Sequence, residues 1–309
     1  MSGAGRSQVA NISPLTRFIY TLLVVVQAGI LITGGAVRLT GSGLGCPTWP
    51  ECTPGSYTPV PHQAQGTLHS WIEFGNRLLT FVLFISIIAA IIGVLRLRNR
   101  PEYFQSRRAL NWLALTQFLG IVAQIVLGGI TVLTHLNPAT VGAHFLLSIA
   151  LIGASLSLRQ RILLKPQVEL TSTSKLLVRT ILALTAIVLL IGTVVTGTGP
   201  HAGDIQARRY HLDPRVISWI HADAVIALIA LTFALILLLR ATEEPAHRSR
   251  VVKEATLFFF ICLGQGLIGY IQYFTGLPEA LVAAHLLGAD LVWLGIWNLA
   301  FTGLALSRK

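Results

Sequence analysis

Eight apolar stretches run along the chain, at roughly 17–37, 70–95, 110–133, 138–158, 175–197, 215–239, 254–275 and 279–305, with short polar segments between them. A helix crossing ~30 Å of hydrocarbon needs about 20 apolar residues, so each stretch predicts a membrane-spanning helix. An even number of spans puts both termini on one side. The expected fold class is therefore all-α and integral to the membrane, with eight transmembrane helices.

The basic residues orient these spans. Arg17, the run Arg96 to Arg108, the run Arg159 to Arg179, the run Arg240 to Lys253, and both chain ends fall on one face, which carries 18 of the 23 Lys and Arg. That face is expected to be cytoplasmic, with both termini on it, and the loops 38–69 and 198–213 lie on the outer face. The net charge of +11 raises the question of nucleic acid. Orientation already accounts for it, and no basic stretch is interleaved with aromatics, so no nucleic-acid partner is expected. A hydrophobic content of 53% with 11% charged residues and a mean hydropathy of +0.70 exclude an ordinary soluble surface. The first apolar run ends in Gly-Ala-Val-Arg rather than a small-residue cleavage site, so helix 1 is expected to stay in the mature chain as a multi-pass anchor in the cell membrane. Residues 1–16 are expected to form a disordered cytoplasmic tail.

An internal repeat organises the rest. At an offset of 141, Gln124 meets Gln265, Gly128 meets Gly269, Thr134 meets Thr275, Val141 meets Val282, and Ala143-His144 meets Ala284-His285. A weaker match pairs Thr40-Gly41-Ser42-Gly43 with Thr196-Gly197-Thr198-Gly199. Two halves, 17–160 and 161–309, follow. Each has four helices, so the repeat is parallel and predicts two four-helix bundles related by a pseudo-twofold axis along the membrane normal. The tight outer turns at 135–138 and 276–278 make helices 3/4 and 7/8 antiparallel hairpins.

Each even-numbered helix places a polar residue about two turns from its outer end. His144 follows Pro138 by six residues, and His221 and His285 follow Pro214 and Pro278 by seven, a depth of ~9–10 Å. Any one such histidine has a bland reading, a hydrogen bond to a neighbouring helix. Recurrence at one depth, with glycines on the odd-numbered helices, favours axial haem ligation, the glycines giving the macrocycle room. Zinc or bare iron fits less well, because cysteines and carboxylates do not cluster there. Helix 2 carries Asn76 at the equivalent depth, with His69, Glu73 and Arg77 along one face. Glu73, an acid inside the membrane, reads as functional, against the simpler reading of an ion pair with Arg77. Arg38 and Arg77 are candidates for bidentate contacts to haem propionates, or else snorkel to the outer headgroups. Asp223 and Asp290 point away from the faces of His221 and His285 and are expected to serve helix packing. Cys46 and Cys52, six apart on the oxidising side, are expected to form a disulfide, with a metal site or free thiols as alternatives. Cys262 is a packing residue.

The segments Thr-Gly-Ser-Gly-Leu-Gly-Cys-Pro-Thr-Trp-Pro-Glu-Cys (40–52), Ile-Glu-Phe-Gly-Asn-Arg-Leu (72–78), Gly-Gly-Ile-Thr-Val-Leu-Thr (128–134) and His-Leu-Leu-Gly-Ala (285–289) resemble the haem A synthase family over essentially the whole chain. The resemblance implies a haem b cofactor on His221 and His285 between helices 6 and 8, and a substrate haem site between helices 2 and 4 that uses His144. It implies a catalytic association for Glu73 and matches the outer-loop cysteines to Cys46 and Cys52. The implied activity is oxidation of the C8 methyl of haem O, through the alcohol, to the formyl of haem A for cytochrome oxidase assembly. The implied partners are a haem O synthase as supplier and an electron donor that the resemblance does not identify. Two departures stand out. Position 76 is Asn where the family usually has His, leaving the substrate iron to His144 alone, to Asn76 or to His69. The loop after helix 5 lacks the second cysteine pair of some members. The rival classes are a dihaem b-type electron-transfer cytochrome and a haem transporter or chaperone.

Overall fold

A proline at the first turn, usually behind a side-chain cap, sets where several of the helices begin. The computed structural model describes residues 12–205 and 207–304 and contains α1 (Pro14–Leu39), α2 (Thr67–Leu97), α3 (Arg107–Leu133), α4 (Pro138–Ile162), α5 (Ser172–Thr198), α6 (Pro214–Thr242), α7 (Pro245–Phe274) and α8 (Glu279–Gly303). Ser13, Asn137 and Asp213 accept from first-turn N–H groups ahead of Pro14, Pro138 and Pro214, and Thr171 does the same for α5. Proline costs nothing there, since its missing N–H would have had no partner.

All eight helices are long and apolar enough to span a membrane, and the chain is an eight-span integral membrane protein. Among the described residues there is no strand, only two isolated bridges. The predicted spans hold, with one change at the start. Ser13 caps Thr16 and Pro14 opens the first turn, so residues 14–16 of the expected tail are helical. Residues 1–11, with Arg6, and residues 305–309, with Arg308 and Lys309, lie outside the described residues.

Within each half the helices form a closed ring. α1 packs on α2, α2 on α3, α3 on α4 and α4 on α1, and the second half repeats this from α5 to α8. α2 therefore lies diagonally opposite α4, and α6 opposite α8. The halves meet through α4 on α5, α8 on α1, and α4 on α8, the arrangement a twofold axis along the membrane normal produces. The crossing between halves falls at 163–171, after the last turn of α4, rather than at 160/161. Here Val168 donates to Thr302 O at 2.8 Å, and Gln160 and Lys165 both donate to Asn298 Oδ1 at 2.7 Å. Higher up, Trp297 Nε1 donates to Ser157 Oγ at 2.6 Å. One core is centred on the second half and takes in Leu31, Ile149 and Ile152 of the first. A second, around Tyr20, Ile87 and Leu110, belongs to the first half.

The outer loops pack on each other. Gly43 donates to Gly203 O at 2.8 Å, and Leu44, Val132, Leu136, Ala202 and Ala207 form a small apolar cluster beneath the surface. Gly45 lies so close to the start of α2 that a Cβ there would stand 2.3 Å from His69 O and 2.9 Å from Ser70 N. Backbone cannot move aside as a side-chain tip can. Gly45→Ala is expected to cost about 1–3 kcal/mol, the range of overpacking, and to lower the unfolding temperature in detergent. Gly29→Ala, with nothing within 4 Å of the added Cβ, leaves that temperature unchanged or raises it.

Candidate functional site

Four positions at one depth repeat the same construction: a glycine of an odd-numbered helix lies against a polar side chain of the next even-numbered helix. A Cβ added at Gly128 would lie 3.3 Å from His144 Cε1, at Gly192 3.3 Å from His221 Cε1, and at Gly269 3.1 Å from His285 Cε1. At Gly34 it would lie 3.8 Å from Asn76 Nδ2. Gly192 is not among the repeat matches read from the sequence, where helices 1 and 5 are paired through the Thr-Gly segments at an offset of 156. Gly34 with Gly192, Leu31 with Leu189 and Ala28 with Ala186 share an offset of 158, not the 156 of the Thr-Gly segments. Thr40–Gly43 follows the end of α1 at Leu39, whereas Thr196–Thr198 is still within the last turn of α5, so the two segments do not mark the helical register.

The three imidazoles lack internal partners. Nδ1 of His144, His221 and His285 is buried and makes no hydrogen bond. The backbone of Val188 comes near the His221 ring, and that of Gln265 near His285, without making an aligned bond. A buried nitrogen without a partner is costly, and a ring nitrogen available to a metal resolves that cost. The donor set, paired imidazoles with glycine opposite, fits an iron porphyrin.

The backbone beneath the histidines is pinned by repeat-related amides. Gln124 Nε2 donates to His144 O at 3.2 Å and to Ser148 Oγ at 2.7 Å, and Gln265 Nε2 donates to His285 O at 2.7 Å. The sequence flagged this pair as repeat matches without giving them a role. Asn76 differs from the histidines: its Oδ1 already accepts from Thr33 Oγ1 at 2.8 Å. His69 Nδ1 is taken by Ser42 Oγ at 2.9 Å, which ties it to the outer loop.

Glu73 is buried, and both its oxygens are used. Oε2 accepts from Cys46 N at 2.7 Å, and Oε1 pairs with Arg77 Nη2 at 2.6 Å. Arg77 also donates to Cys46 O at 2.9 Å, Thr48 O at 3.1 Å and Glu51 O at 3.2 Å. The ion-pair reading of Glu73 therefore holds. The expectation that Arg77 binds propionates is corrected, because its guanidinium is spent on Glu73 and on the carbonyls of the loop above it. Cys46 and Cys52 are bonded to each other, which rules out the alternatives of a metal site or free thiols. Cys262 is a buried free thiol. Asp223 is exposed. Asp290 is 1% exposed with neither oxygen hydrogen-bonded, so it packs without the polar partner that a packing role would supply.

A family model described as cytochrome oxidase assembly protein matches residues 17–297. The chain belongs to this family. Among curated relatives, the heme A synthase of Geobacillus thermodenitrificans is 31% identical over 40% of this chain and 35% of its own length. That of Geobacillus kaustophilus is 34% identical over 37% and 32%, and that of Lysinibacillus sphaericus 29% identical over 43% and 41%. The matched stretches thus span between about a third and two fifths of those relatives.

Because Glu73 and Arg77 hold the cysteine loop onto α2, Glu73→Ala leaves a mostly buried guanidinium unpaired. That is expected to cost about 3–5 kcal/mol, lower the unfolding temperature, and speed reduction of the Cys46–Cys52 bond by a mild thiol. Glu73→Gln keeps an acceptor and costs less. Unchanged unfolding and reduction in Glu73→Ala would contradict the clamp.

Proposed function

We propose that the protein is a haem A synthase, oxidising the C8 methyl of haem O through the alcohol to the formyl of haem A. The carrying observation is the asymmetry of the four equivalent slots: three imidazoles without partners, and one amide whose oxygen is already bonded to Thr33. In this reading the second half holds haem b as a cofactor on His221 and His285, and the first half receives haem O at His144 between α2 and α4. A carrier of electrons alone has use for two complete axial pairs, and the lone imidazole of the first half favours a substrate site instead. Family membership and the names of the relatives support the same reading.

The iron porphyrin supplies the oxidative chemistry when bound, and the chain supplies ligation, orientation and exclusion of water. His144 fixes the substrate from α4, its ring set by Gly128 and its backbone by Gln124. The disulfide loop, tied down by Glu73 and Arg77, roofs the first-half site at the outer face. Glu73 lies one turn outward of Asn76 on the same face of α2, so its carboxylate is the group placed to take a proton leaving the methyl or alcohol. The proposed partners are haem O as substrate, a haem O synthase as its supplier, and a membrane electron donor. The proposed setting is the cell membrane, with the haem sites toward its outer side.

Extraction of pigments from membranes supplied with haem O tests this directly. Haem A is expected to accumulate with the wild type; its absence leaves the electron-transfer or transport reading. His221→Ala and His285→Ala are each expected to lose the stably bound haem b while the protein still inserts. His144→Ala keeps haem b and makes no haem A, and Asn76→Ala keeps partial turnover. Glu73→Gln, which removes the titrating group with little change of shape, is expected to retain haem b and accumulate haem O or the hydroxylated intermediate. Normal haem A output from Glu73→Gln would remove the carboxylate from proton transfer.

A further inference from the structure

Arg77 is engaged in the loop, and the basic residue in the last turn of α1 is Arg38. Its Nη2 donates to Thr196 O at 2.8 Å, reaching from the last turn of α1 across to the last turn of α5. The loop that carries Arg209 packs onto Arg38, a Cβ added at Gly203 falling 3.5 Å from Arg38 Cγ. Arg209 is held by its own loop, donating to Pro200 O at 2.6 Å and Ala207 O at 3.1 Å, and that loop is closed where Tyr210 N donates to Gly197 O at 3.0 Å. Both guanidiniums thus donate to neutral carbonyls. None of the ion pairs among the described residues involves either one. Asp204 in the same loop has a partner of its own.

A single arginine on a helix C-terminal carbonyl is ordinary capping and implies no ligand. Two partly buried guanidiniums anchored on carbonyls four residues apart, Thr196 O and Pro200 O, are different, because an anion between them offsets the gathering of like charge. Each keeps N–H groups in the planar fork that suits a carboxylate. The location also selects the anion. Thr196 lies four residues outward of Gly192, the residue against the His221 ring, which is about 6 Å along the helix. Gly203, whose added Cβ would lie 3.5 Å from Arg38 Cγ, brings the Arg209 loop over the same spot.

We propose that Arg38 and Arg209 form a two-guanidinium clamp for the propionate carboxylates of the haem held by His221 and His285. The inference rests on the cofactor reading above, and it assigns Arg209 a binding role and gives Arg38 a partner. The same chemistry would take a lipid phosphate at the outer face, and the test separates the two.

Purified full-length protein from a haem-deficient host is titrated with haem b and, separately, with haem b dimethyl ester, following the optical spectrum. The ester keeps the macrocycle and the iron but removes both carboxylate charges. Charge-assisted hydrogen bonds are lost with the ester, so the wild type is expected to bind the acid about 10–100-fold more tightly. Arg209→Gln is expected to weaken binding of the acid about tenfold and leave binding of the ester unchanged; Arg209→Lys is expected to be intermediate. Arg38→Gln is expected to act similarly, but because Arg38 also joins α1 to α5, Arg209→Gln is the decisive variant. Equal binding of acid and ester by the wild type overturns the clamp, points to a lipid phosphate, and leaves the haem site standing. An Arg209→Gln loss of equal size for both ligands also overturns it, because only a structural role does that. If neither porphyrin binds the wild type, the cofactor reading itself fails and takes the clamp with it.

Discussion

A polar group two helical turns inside a membrane must find a partner, and much of this fold turns on how four such groups are treated. Hydrocarbon offers no hydrogen bonds, so backbone groups are satisfied within helices and side chains within the bundle. Several buried atoms go unbonded, both Asp290 oxygens and Trp293 Nε1 among them, but His144, His221 and His285 each leave a ring nitrogen unbonded at one depth. Each ring is held by what surrounds it, with a glycine at its edge and, beneath His144 and His285, a glutamine on the histidine's own carbonyl. The glycines let the helices approach closely enough to fix the rings, and the amides stop the backbone from shifting.

The two halves share this frame and differ in detail. Asn76 fills the slot of a fourth histidine and is satisfied locally by Thr33. Above it, a disulfide loop is clamped to α2 by a buried ion pair, a feature the second half lacks among the described residues. In the second half the corresponding outer segment is short and is held by arginine bonds to carbonyls. One frame, duplicated, therefore supports a roofed site in the first half and a more open, cationic rim in the second. The halves are joined by apolar packing at mid-depth and by polar contacts around Asn298 and Thr302 on the inner side, a combination suited to a rigid pair rather than two moving bodies.

The span count, the charge asymmetry, the repeat at offset 141 and the depth of the histidines were all legible from the sequence, because hydrophobic run length, side-chain charge and helical rise act locally or at fixed spacing. The candidate ligands were legible too, since a histidine within an apolar run stands out wherever the fold puts it. The sequence did not reveal which charged groups were free. Glu73 and Arg77 stood out as charges inside the membrane, and the packed chain adds that they grip Cys46 and its loop, whereas the loop of Arg209, an unremarkable residue in the sequence, packs against Arg38 through Gly203. Those outcomes depend on where loops 38–66 and 199–213 come to rest, and no period in the sequence encodes that. The register between α1 and α5 was likewise decided by packing: Gly34 and Gly192 are equivalent because each must clear a neighbour's side chain, not because of the Thr-Gly segments near the helix ends. The sequence determined the elements and the chemistry they carry. Tertiary structure decided which of those groups meet each other and which remain open to a ligand, because each pairing depends on distances that only the packed bundle sets.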